Sequence, residues 1–106
     1  MPKYLITGSY TSEGAKGIVA KGGSDRVAAV EKLTDSIGGS IETFYFAFGG
    51  DDFVIIIDAP DHESVAAITM AVGAAGVVEC RTTVLLTPEQ VDAAADKSLS
   101  YRAPGQ

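Results

Sequence analysis

Residues able to do chemistry are few in this sequence, and most fall in two short stretches. The segment Val77–Leu86 alternates: Val78, Cys80, Thr82, Val84 and Leu86 share one parity, and Glu79, Arg81, Thr83 and Leu85 share the other. Successive side chains of a strand point to opposite faces, so the more apolar parity belongs against a core. Glu79, Arg81 and Thr83 then face the other way. Near the N-terminus, Thr7 and Ser9 likewise sit on the parity opposite to Ile6. Polar groups converging on an otherwise apolar wall are the usual make-up of a small-molecule site. Arg81 is the one Lys or Arg between Leu33 and Val91. Its charge must meet acids, either in an ion pair with Glu79 or Asp52 that sets subunit register, or meet a ligand. Tyr45 could bring a hydroxyl to the same cavity, the alternative being a core aromatic with a hydrogen-bonded tip.

Other polar clusters have structural tasks. Asp52 follows Gly49-Gly50-Asp51, where an aspartate carboxylate commonly accepts backbone N–H groups and fixes a turn. The competing reading has Asp52 facing a ligand. Asp51 and Asp52 adjoin on extended backbone and should point apart, which argues against a pair sharing a proton or cation. Asp58, Asp61, His62 and Glu63 offer metal donors but lack His-x-x-x-His or EF-hand spacing. Asp61 suits a helix cap, Asp58 a strand end and Glu63 the helix dipole. Neither a metal nor a cofactor is expected. Cys80 lies on the core parity and reads as an inert thiol. The single histidine, His62, is expected at an exposed helix start, so no Ser-His-Asp set can be assembled.

The elements that must position these residues follow from periodicity and punctuation. Lys3–Tyr10 reads as a first strand. Thr11–Gly23 contains Gly14, Gly17, Gly22 and Gly23 and is expected to be a loop with at most one helical turn. Ser24 is the expected cap of a helix whose stripe is Val27, Val30, Leu33 and Ile37, stopped by Gly38-Gly39. Ser40–Phe48 and Phe53–Ile57 are the second and third strands, joined by Gly49-Gly50-Asp51-Asp52. A second helix starts at Asp61 and buries Val65, Ile68, Thr69, Val72 and Ala75. Val77–Leu86 is the fourth strand. Thr87-Pro88-Glu89-Gln90 combines a cap, a proline at the first helical position and a capping-box glutamine. The order β-α-β-β-α-β plus a C-terminal helix is the ferredoxin-like arrangement: an α+β fold with a four-stranded antiparallel sheet and both crossover helices on one face. Residues 1–97 read as one domain and 98–106 as a flexible tail.

Strands two and three are apolar on both parities, as in Phe53-Val54-Ile55-Ile56-Ile57. A sheet with one wet face should alternate. Both faces should therefore be buried, and a second subunit is the expected cover: a homo-oligomer, most simply two sheets face to face.

Composition narrows the function classes. The 106 residues carry 8 basic and 14 acidic side chains, a net charge of −6, with eight acids and no Lys or Arg between Leu33 and Cys80. No basic stripe is available to displace counterions from nucleic acid, and an anionic membrane is disfavoured for the same reason. No stretch approaches the ~20 apolar residues that span a bilayer. One cysteine and no signal-peptide pattern point to a cytoplasmic protein.

At Phe48-Gly49-Gly50-Asp51-Asp52-Phe53-Val54 the chain resembles the GYD domain family, small bacterial proteins named for a Gly-x-Tyr-Asp turn. Tyr4-Leu5-Ile6, Tyr10-Thr11, Gly38-Gly39, Phe44-Tyr45, Ala59-Pro60-Asp61 and Arg81-Thr82-Thr83 extend the likeness over about Pro2–Val91. Gly49 and Asp52 match the motif, while Asp51 stands where it has tyrosine. The resemblance implies a ferredoxin-like fold and dimeric α/β-barrel association. The turn is also similar to one in the amino-acid-sensing domains of leucine-responsive regulators.

The leading expectation is thus an oligomeric module binding a small molecule between sheet and partner, with Arg81, Asp52, Tyr45, Thr7, Ser9, Glu79 and Thr83 as the candidate site. Two alternatives stand beside it. One is a cofactor-independent enzyme of the dimeric α/β-barrel kind (a monooxygenase, isomerase or dehydratase) using Asp52, Tyr45 and Arg81. The other is a structural or interaction protein whose interior is simply filled.

Overall fold

A computed structural model describes all residues, 1–106. It contains β1 (Lys3–Tyr10), α1 (Ser12–Lys21), α2 (Gly23–Asp35), β2 (Ser40–Phe46), β3 (Phe53–Asp58), α3 (His62–Ala75), β4 (Val78–Leu85) and α4 (Pro88–Ala95). The four strands form one antiparallel sheet in the order β2-β3-β1-β4. This is the expected ferredoxin-like arrangement.

The core lies on one face of the sheet. Tyr4 and Ile6 of β1, Phe53, Ile55 and Ile57 of β3 and Val78 of β4 are buried there with Val65 of α3. Val30, Phe44 and Val72 pack around them. Of the stripe expected for α3, Val65 and Ile68 are buried and Thr69 and Val72 half-buried, whereas Ala75 is exposed at the last position before the Gly76 cap.

The segment after β1 corrects the expectation of a loop: Ser12–Lys21 is a ten-residue helix. Thr11 supplies the missing signal. Its hydroxyl accepts the Gly14 N–H at 3.3 Å and its own N–H donates to the Val77 carbonyl at 3.1 Å, fixing the helix start against β4. Gly14 is needed for that approach, because a Cβ there would run into the Val77 carbonyl oxygen. Two further boundaries differ. Ser24 is not a cap: α2 begins at Gly23 after Gly22, whose φ of 90° is open to glycine, and no side chain caps it. Strand β2 ends at Phe46, leaving Phe48 exposed in the turn.

The last helix keeps its expected start. Thr87 and Gln90 form a reciprocal capping box behind Pro88. Helix α4 is nonetheless exposed throughout, and the segment from Asp96 to Gln106 has no helix or strand. The radius of gyration, 17.0 Å, exceeds the ~13 Å of a compact chain of this length, consistent with an arm beyond the sheet.

Gly8 marks the tightest point of the sheet. A methyl group there would strike the Glu79 carbonyl oxygen and come within 2.8 Å of Cys80 Cα and 2.9 Å of the Phe53 ring. Around Gly17 of α1 a Cβ meets nothing within 4 Å. Gly8→Ala should therefore cost about 3 kcal/mol, whereas Gly17→Ala should gain about 1 kcal/mol from helix propensity. Urea unfolding of the two variants checks this; shifts of the same sign would contradict the packing described.

Candidate functional site

Cross-strand register shows which residues share the sheet face opposite the helices. Tyr45 of β2 pairs with Val54 of β3, Val54 with Thr7 of β1, and Thr7 with Arg81 of β4. Directly paired residues lie on the same face, so Tyr45, Val54, Thr7 and Arg81 form one row across the sheet. The neighbouring row is Thr43, Ile56, Leu5 and Thr83, and Ser9 pairs with Glu79 beyond the first. Six of the seven sequence-derived candidates thus share this face. The parity of Tyr45, open in the sequence, is settled by the pairing, and its side chain is 69% exposed.

The face is apolar in the middle and charged at its ends. Leu5, Val54 and Ile56 are half-buried, with no helix over them. At one end Lys3 Nζ donates to Glu42 at 2.7 Å and to Asp58 at 2.9 Å. Glu42 reaches it because β2 is irregular between Ile41 and Thr43. The hydrogen bonds to Glu42 and Asp58 raise the Lys3 pKa above its ordinary value. At the other end Arg81 Nη2 donates to Asp51 Oδ1 at 2.6 Å and lies 3.5 Å from Thr7 Oγ1.

That ion pair corrects the sequence reading, which offered Glu79 or Asp52 as the partner of Arg81. Asp52 is already engaged. Its carboxylate accepts the Tyr10 N–H at 2.9 Å, its N–H donates to the Gly8 carbonyl at 2.7 Å, and its carbonyl accepts the Ala47 N–H at 2.8 Å. The β2–β3 turn is thereby bound to the end of β1. The Asp51 carboxylate is not used in the turn and reaches Arg81 instead. The residue standing in place of the motif tyrosine therefore brings a carboxylate to Arg81. Asp51 was missed as a site residue because only the turn geometry, not strand parity, aims it at this face. With Arg81 71% and Asp51 29% exposed, the pair contributes little to stability in the isolated chain.

The acid cluster around the start of α3 resolves into separate tasks. Asp58 pairs with Lys3, and Asp61 accepts the Ser64 N–H at 2.8 Å as the helix cap. His62 is exposed, yet its Nδ1 lies 2.6 Å from the hydroxyl of buried Tyr4, a link that residue spacing does not reveal. Burial, with the charges of Asp61 and Glu63, raises the Tyr4 pKa. Cys80 is half-buried on the helix face, and burial pushes its thiol pKa up, away from thiolate chemistry. No helix is long and apolar enough to cross a membrane.

These features define a ferredoxin-like α+β protein with a two-ended polar rim around an uncovered sheet face. The GYD domain model matches residues 4–95, and the chain belongs to that family. Among solved structures, the crystal structure of MtbAldR is similar at 21% identity with a TM-score of 0.60, covering 97% of this chain and 57% of that one. At that identity the likeness concerns the fold, and this chain spans little more than half of the other protein. No curated protein sequence matches significantly.

The Asp61 cap has a pH signature. Hydrogen bonding to Ser64 holds its carboxyl pKa below the ordinary value. A carboxyl depressed on folding stabilises fully above its unfolded pKa of ~3.9, and that stabilisation is lost as pH falls through the folded pKa. Thermal unfolding from about pH 5 down to pH 3 should lower the midpoint of the wild type more than that of Asp61→Asn, which keeps a cap without the charge. Parallel curves would exclude this role.

Proposed function

We propose that this protein is a homo-oligomeric binding module in which a second copy covers the open sheet face and a small molecule occupies the space between sheet and partner. The observation that carries the reading is the row Tyr45–Val54–Thr7–Arg81 beside half-buried Leu5 and Ile56. Apolar surface of this kind on a sheet is stabilised by burial at ~25 cal/mol per Å2, and the chain supplies helices for the other face alone.

The polar residues on the row suit recognition. Arg81 is positioned by Asp51 and lies near the Thr7 hydroxyl, so its remaining N–H donors can take a ligand oxygen in the plane of the guanidinium. Tyr45 supplies a hydroxyl from the opposite edge of the row. Such a pocket would have apolar walls and a few directed polar groups. Asp52, bonded to the Tyr10 N–H, serves this arrangement by holding the turn that carries Asp51.

Light scattering should give at least twice the 10.9 kDa chain mass. Ile56→Lys should reduce the particle to a monomer while far-ultraviolet circular dichroism retains the α+β spectrum. In a thermal-shift screen of water-soluble metabolites, Arg81→Ala should abolish the shift given by any ligand that perturbs the amides of Thr7, Tyr45 and Val54, and leave the mass unchanged. A well-folded wild-type monomer would overturn the assembly, and an undiminished shift in Arg81→Ala from a ligand that perturbs those open-face amides would overturn the pocket.

A further inference from the structure

On the opposite side of the sheet, residues of α1, α2 and the end of β1 line a cleft of about 350 Å3. Tyr10, Ile18 and Val77 give it apolar walls, and Lys21, Asp25 and Arg26 bring charge to it. Arg26 is the unusual member. It is half-buried, and its Nε is enclosed without any hydrogen-bond partner. The ion pairs of the structure are Lys3–Glu42, Lys3–Asp58 and Arg81–Asp51, so no carboxylate makes direct contact with Arg26. Its guanidinium carbon instead lies 5.9 Å from the centre of the Tyr10 ring. The Arg26 Nε–H is thus cut off from water with no acceptor in its place, which is unfavourable. A ring face compensates that loss only in part.

We propose that the cleft between α1 and α2 is a second binding site, taking a small organic monoanion whose carboxylate pairs with Arg26. An arginine fork matches a carboxylate in its plane, and the apolar walls accommodate a short hydrocarbon or aromatic body. The volume lies at the low end for small-molecule sites and limits the guest to about that size. Charge narrows the class further. Glu13 and Asp25 line the same cleft as Lys21 and Arg26, so the lining is neutral in sum and disfavours a dianion such as phosphate. The site is separate from the open face that carries Arg81, and it holds whether or not that face binds a ligand.

Benzoate is a fitting probe, with benzamide as its uncharged isostere. Titration of the 15N-labelled full chain with sodium benzoate should give saturable amide shifts at Gly14, Gly17 and Ala29 around the cleft. Benzamide and inorganic phosphate should give none at equal concentration. Arg26→Met should weaken benzoate binding at least about tenfold, as expected for loss of a charge-assisted pair, while Arg81→Ala should leave it unchanged. Gly17→Leu provides a variant independent of Arg26. A side chain at that position meets nothing nearby, so it should occlude the cleft without disturbing the fold. Benzoate shifts should then vanish while the unfolding midpoint stays at or above that of the wild type. Absence of saturable shifts, equal response to benzamide or phosphate, or undiminished binding in Gly17→Leu would overturn the proposal.

Discussion

Strand β3 carries large apolar side chains on both of its faces, and helices cover one of them. Phe53, Ile55 and Ile57 enter the core, while Val54 and Ile56 remain half-buried on the other side. Burying a single valine or isoleucine side chain is worth about 1.5–3 kcal/mol, so this second face is a substantial unused driving force. Much else follows from that asymmetry. The ion pairs of the open face lie at its two ends, Lys3 with Glu42 and Asp58 at one and Arg81 with Asp51 at the other. They leave Leu5, Val54 and Ile56 as a continuous apolar centre, the surface on which the proposed second copy would settle.

The turn between β2 and β3 connects this constraint to the site. Asp52 uses its N–H, carbonyl and carboxylate to join Gly8, Ala47 and Tyr10, binding the turn to the central strand. Gly8 permits the close passage of β4 at the same level. From the fixed turn the Asp51 carboxylate reaches Arg81 on the open face. The family motif has tyrosine at this position. Here a carboxylate stands in its place and forms an ion pair with Arg81.

Most of the architecture was legible because its signals are local. The alternation in β4, the Thr87–Gln90 capping box and the two-sided apolarity of β3 are all visible in short windows, and each corresponds to what the structure contains. Helix α1 was not legible, because its glycines argue for a loop by propensity. Gly14 is instead required by the Val77 carbonyl, a contact more than sixty residues distant in the chain. The candidate face was readable by parity for Thr7, Ser9, Glu79, Arg81 and Thr83. Tyr45 needed the register of β2 against β3, and Asp51 needed the geometry of the turn. The enclosed Arg26 Nε and its cleft depend on how α1, α2 and the end of β1 come together, which no spacing in the sequence encodes.

The central claim is that the open face of the sheet is an interior surface of an assembly. Isotope-filtered nuclear Overhauser spectroscopy on a mixture of 13C-labelled and unlabelled chains tests it most directly. The account predicts intermolecular contacts to the methyl groups of Leu5, Val54 and Ile56, and none to Ile55 or Ile57 in the core. Contacts confined within one chain, with the methyl groups of Val54 and Ile56 open to a soluble paramagnetic probe, would contradict it.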